Sequence, residues 1–114
     1  MLDHINIGVA DLTASRAFYE RALESLDIAF VMENQAGVGF GRGGQPQFWI
    51  SDRGRSGPIH IAFAAPDRDT VDRFHREAIV AGGTDNGLPG VRAQYHPNYY
   101  GAFVLDPDGN NIEA

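Results

Sequence analysis

The chain has 114 residues and a formal net charge of -6, and its basic side chains are all arginines scattered singly, so it lacks the basic stripe that nucleic-acid binding needs. With 43% hydrophobic and 21% charged residues the composition is globular and sufficient for one domain with an ordinary core. The absence of cysteine excludes disulfides, thiolate metal ligands and a catalytic thiol, and the lack of a leader-like start or a long apolar run predicts a cytoplasmic protein that does not enter membranes.

At the N-terminus Ile5, Ile7 and Val9 alternate with His4, Asn6 and Gly8, the period-2 pattern of a half-buried strand. Asp11 or Thr13 then caps a predicted helix running to about Leu26, with Leu12, Ala17, Phe18, Ala22 and Leu23 at helical spacing. Strand signals follow at residues 27–33, 37–42 and 47–51, the last after the turn-like Gly43-Gly44-Gln45-Pro46. Residues 52–58, with two glycines and a proline, read as a linker.

The pattern then restarts near half the chain length, with His60-Ile61 repeating His4-Ile5, Asp67 repeating Asp11 and Phe74 repeating Phe18. Ile59, Ile61 and Phe63 share one strand face. Asp67 or Asp69 opens a helix that buries Val71, Phe74, Ala78 and Ile79, places His75 on the surface and ends at Gly82-Gly83. A short strand near Thr84 and a polar loop over 86–98 come next. Strands at 99–105 and 110–114 close the chain around the turn Asp106-Pro107-Asp108-Gly109. The expected fold is α+β: a single domain, 1–114, of two βαβββ modules (about 1–52 and 58–114) that form a half-open curved sheet with the helices outside.

Strand parity sends Val38, Phe40, Phe48, Ile50, Ala102, Val104 and Ile112 toward the helices. The other face receives His4, Asn6, Gln47, Trp49, His60, Tyr99, Phe103, Glu113 and several glycines. Polar groups, aromatics and bare glycines together are the lining of a small-molecule cleft. The five glycines of 37–44 lie on strand and turn, without the helix N-terminus that a phosphate cradle requires.

The opening His4-Ile5, Asp11-Leu12 before a helix, Phe18-Tyr19 within it, and the closing Asp106-Pro107-Asp108-Gly109-Asn110-Asn111-Ile112-Glu113 together resemble the vicinal oxygen chelate superfamily, which contains glyoxalase I, extradiol dioxygenases and bleomycin resistance proteins. The resemblance covers nearly the whole chain. It implies a divalent transition metal (Fe, Zn, Mn, Co or Ni) held by His4, His60 and Glu113, with open positions for two adjacent substrate oxygens. Trp49 stands where glyoxalase I supplies a glutamate, and Phe103 where extradiol enzymes carry a tyrosine. The implied activity is that of a glyoxalase-like lyase or isomerase on a small organic substrate. The alternatives are a metal-free binding protein of bleomycin-resistance type and an extradiol-dioxygenase-like oxidoreductase.

His96, in the longest predicted loop, is the candidate general acid or base, because an unperturbed imidazole titrates near neutral pH. Tyr99 is placed to hydrogen-bond a substrate oxygen, and Tyr100 is either a further pocket residue or packed on a helix, since parity slips easily at a strand start. Trp49, Phe103, Gln47 and Asn6 complete the expected pocket. A homodimer is expected, with the ligands converging in one protomer or shared across a swapped pair.

Overall fold

A computed structural model describes residues Met1–Ala114. The first module consists of β1 (Ile5–Gly8), α1 (Leu12–Ala22), a 3-10 turn (Glu24–Leu26), β2 (Ala29–Asn34), β3 (Gly37–Arg42) and β4 (Gln45–Ser51). The second consists of β5 (His60–Ala62), α2 (Arg68–Val80), β6 (Thr84–Val91), β7 (Tyr100–Leu105) and β8 (Asn111–Glu113). Their strands make two four-stranded sheets of equivalent order, β1-β4-β3-β2 and β5-β8-β7-β6. In each sheet the opening strand runs parallel to the last and the other pairs are antiparallel. The expected α+β fold is therefore present, with mixed sheets and no closed barrel.

Capping residues set the helix starts. Asp11 accepts the Ala14 N–H at 3.0 Å and Asp67 accepts that of Thr70 at 2.8 Å, each satisfying a backbone donor that the first helical turn leaves unpaired. The first helix is shorter than its apolar spacing predicts. It stops at Ala22 and tightens into the 3-10 turn, because Asp27 takes a left-handed conformation (φ 59°) that reverses the chain into β2. Gly43 and Gly44, at φ 57° and 76°, make the β3–β4 connection a tight two-residue turn, and β4 consequently begins at Gln45 rather than Gln47.

Three expectations are corrected, the first being Ile79, expected on the buried face of α2 but exposed there, while His75 takes a place on that face. The predicted polar loop over 86–98 is strand as far as Val91; Gly87, Pro89 and Gly90 read as breakers, yet an edge strand tolerates them, and the register of β6 on β7 slips at Gly87 and Gly90. His75, expected on the surface, is buried against β6, where its Nε2 meets Asp85 Oδ1 at 2.8 Å. That hydrogen bond, helped by the Gly87 N–H, holds the Asp85 carboxyl below its ordinary 3.8. A depressed folded-state value means that the stabilisation is present above about pH 4 and is lost as pH falls through the lowered value. Asp85→Asn is expected to flatten that part of the acid-unfolding curve, measured by circular dichroism between pH 5 and 2.

One apolar core joins the modules. Phe18, Tyr19, Phe40 and Phe48 of the first pack with Phe74, Ala78, Val104 and Ile112 of the second, all nearly inaccessible to solvent. Burial of each large side chain contributes about 1.5–3 kcal/mol. The closing turn of the second module adds a polar clasp: Asp108 accepts the Ala10 N–H at 3.1 Å and the Arg55 Nε–H at 3.3 Å. Beside it, Asp106 receives the Tyr19 hydroxyl at 2.5 Å. No helix is long and apolar enough to cross a membrane.

Candidate functional site

Because Ile112 faces the core, its neighbour Glu113 must face the opposite side of the sheet. There it is almost fully covered: its side chain is 4% exposed while that of His60, one strand away, is 51% exposed. His60 Nε2 lies 2.7 Å from Glu113 Oε2, and the Tyr99 hydroxyl donates to the other oxygen, Oε1. Phe103, the cross-strand partner of Glu113, walls the pair, with its ring centroid 6.1 Å from that of His60. A buried carboxylate gripped from both oxygens has a fixed orientation, which is what a ligand or a general base requires.

The hydrogen bond to Glu113 is the main cause that pushes the Tyr99 phenol up to about 12, followed by desolvation. Tyr99 is therefore protonated at neutral pH and acts as a donor. His96 packs edge-on against its ring at 5.2 Å and accepts the Asn98 N–H on Nδ1 at 3.1 Å, without touching His60 or Glu113. Tyr100 lies on the helix side of the sheet, where its hydroxyl donates to Asp72 at 2.6 Å and the Arg68 guanidinium stacks 4.9 Å over its ring.

The remaining predicted residues gather on the first module. His4 is mostly exposed and its Nδ1 meets Asp3 at 2.8 Å. With Asn6 and Trp49 it lines a shallow cavity of about 270 Å³. Gln47 lies in a second cavity, of about 280 Å³ between the modules, beside Phe48 and Ile61, which His4 also lines. Within one chain, His60 and Glu113 are brought together and His4 is not; no three metal-ligating side chains converge. Arg92, whose guanidinium sits 5.3 Å over the Phe103 ring, is a neighbour of the site that the sequence did not point to, since it fell in the predicted loop.

The donors present fit a divalent transition metal in type, an imidazole nitrogen and a carboxylate oxygen at one point, but number two per chain. β1 and β5 are terminal strands of their sheets, so each has an outer edge to which no strand of this chain is paired.

A sequence model described as the Glyoxalase/Bleomycin resistance protein/Dioxygenase superfamily matches residues 1–114. Among solved structures, a glyoxalase/bleomycin resistance protein from Albidiferax ferrireducens is 32% identical, with 97% of this chain and 93% of that chain covered at a TM-score of 0.79. A glyoxalase-related enzyme from Fulvimarina pelagi is 20% identical over 99% of this chain and 85% of that chain, TM-score 0.72. A glyoxalase I mutant from Zea mays is 19% identical over 98% of this chain and 43% of that chain, TM-score 0.73. These last two likenesses concern the fold alone. No curated protein matches the chain.

Proposed function

Because the chain belongs to the glyoxalase/bleomycin resistance protein/dioxygenase superfamily, we propose that it is a small metal-dependent lyase or isomerase of glyoxalase type, acting as a homodimer on an organic substrate with two adjacent oxygens. The observation that carries this reading is the buried Glu113 carboxylate held against His60 Nε2 at 2.7 Å on the open side of the sheet. His60 and Glu113 of one subunit and His4 of the partner subunit would hold the metal, the unpaired edges of β1 and β5 being where two copies can meet. When bound, a divalent transition metal supplies Lewis-acid polarisation of a substrate oxygen.

The chain's own residues do the rest. Tyr99 fixes the Glu113 carboxylate and remains a proton donor. His96 accepts the Asn98 N–H on Nδ1, which fixes the tautomer with its proton on Nε2 and leaves that N–H to donate a hydrogen bond to a substrate oxygen. Phe103, the buried cross-strand partner of Glu113, helps keep that carboxylate from water.

One observation favours a second reading, metal-free sequestration of a planar compound: Trp49, in the place of a ligand, cannot coordinate, and both Glu113 oxygens already have partners within the protein. Elemental analysis and calorimetric titration with Zn²⁺, Fe²⁺, Mn²⁺, Co²⁺ and Ni²⁺ separate the two. About one metal per chain is expected by analogy with open three-ligand sites, lost in His60→Ala and in His4→Ala with the fold retained by circular dichroism. Absence of uptake by the wild-type dimer, or unaltered stoichiometry in both variants, would overturn the metalloenzyme reading.

A further inference from the structure

Trp49 and Gly39 are cross-strand partners on the open face of the first sheet. A Cβ at Gly39 would come within 3.1 Å of both Cε2 and Cη2 of the indole and 2.9 Å of Pro46 Cβ, so the ring lies against bare backbone and can do so only because residue 39 has no side chain. The indole is not fully covered. It forms part of the wall of the cavity of about 270 Å³ shared with His4, Asn6, Asn34, Ala36 and Pro46, which contains no arginine and no carboxylate.

Two amides at this cavity are each half-used. Asn6 Nδ2 donates to the Ala36 carbonyl at 3.1 Å, which leaves its Oδ1 without a partner. Asn34 Oδ1 accepts the Ala36 N–H at 2.8 Å, which leaves its Nδ2 without a partner. The cavity thus presents an aromatic surface, an acceptor and a donor that no protein group takes up, and the His4 imidazole with Asp3 beside it.

We propose that Trp49 is the platform of a stacking subsite for an uncharged planar ring that carries a hydrogen-bond donor and an acceptor, read by Asn6 Oδ1 and Asn34 Nδ2. A ring stacked on the indole gains face contact at little conformational cost, and the two amides select for an amide-like or hydroxy-carbonyl edge. The subsite rests on the reading that the open sheet faces bind a small organic molecule, and it names the chemical class of that molecule. Its lining residues all belong to the first module.

Trp49 is the single tryptophan of the chain, so its fluorescence reports on this subsite directly. Chelator-treated wild-type protein is titrated with nicotinamide and, in parallel, with cyclohexanecarboxamide, which has the same polar group on a non-planar ring; N-acetyltryptophanamide is the reference for collisional quenching. Saturable quenching by nicotinamide alone is expected, weakened about 3–10-fold in Asn6→Ala and Asn34→Ala, the effect of losing one hydrogen bond. Gly39→Ala, which displaces the indole, is expected to weaken it further. Linear quenching equal to that of N-acetyltryptophanamide, equal competition by the cyclohexane amide, or unchanged affinity in both asparagine variants would overturn the proposal. Because the assay contains no metal, its failure is distinct from failure of the metal titration.

Discussion

Asp106→Ala is expected to destabilise the protein by about 3–5 kcal/mol, the cost of removing one member of a buried charged network and leaving its donors unpaired. Asp106 is 5% exposed and accepts four hydrogen bonds. Oδ1 takes the backbone N–H groups of Asp108 and Asn110 at 2.9 and 2.8 Å, and Oδ2 takes the Tyr19 hydroxyl at 2.5 Å and the Asn110 amide at 2.9 Å. Tyr19 has no solvent exposure, so its orphaned hydroxyl cannot turn to water. For a chain of this size the loss corresponds to a fall in Tm of roughly 12–20 °C, measurable by calorimetry.

The Tyr19–Asp106 pair also contributes to loss of stability at alkaline pH. Burial first, and the Asp106 charge second, push the Tyr19 phenol well above 10. A raised folded-state value gives stability that is complete below about pH 10 and is lost as pH rises through the raised value. The steep alkaline loss should be reduced in Tyr19→Phe. The double variant Tyr19→Phe/Asp106→Ala should cost less than the sum of the two single changes, because the groups share one bond.

Phe48→Ala is the second large effect, also about 3–5 kcal/mol, from lost burial and the cavity left behind. Its ring is T-shaped to Tyr19 at 4.9 Å in its own module and to Phe63 at 5.5 Å in the other, so its removal opens the join between modules. Urea unfolding is expected to show a lower midpoint. If the modules keep one cooperative transition the slope is unchanged, whereas a split into two transitions would identify Phe48 as the coupling between them. Phe48→Leu, which refills most of the space, should lose less than half as much.

The repeat, the helix starts to within two residues and the core faces of β1, β3, β4 and β7 follow from local sequence. Period-2 alternation around Ile5, Val38, Phe48 and Val104 fixes which residues face inward whatever the partner strand, because adjacent side chains must point to opposite sides. Asp11 and Asp67 fix helix starts by bonding within three residues of themselves. Sequence also placed Glu113 on the open side, opposite Ile112, whereas its position beside the strand that begins at His60 is a tertiary result.

Tertiary structure decided what local pattern does not encode. The strand over Thr84–Val91 exists because β7 offers a hydrogen-bonding edge to a segment whose glycines and proline have poor strand propensity. His75 is buried because Asp85, brought opposite by that same strand, satisfies it. Tyr100 turns to Asp72 and Tyr99 to Glu113, a choice of face made at a strand start where parity alone is ambiguous. Asp106 and Asp108 look like turn residues in sequence; only the packing of one module on the other reveals them as the clasp on Tyr19, Ala10 and Arg55. Local spacing dictates which way a side chain points, and long-range packing dictates what it meets.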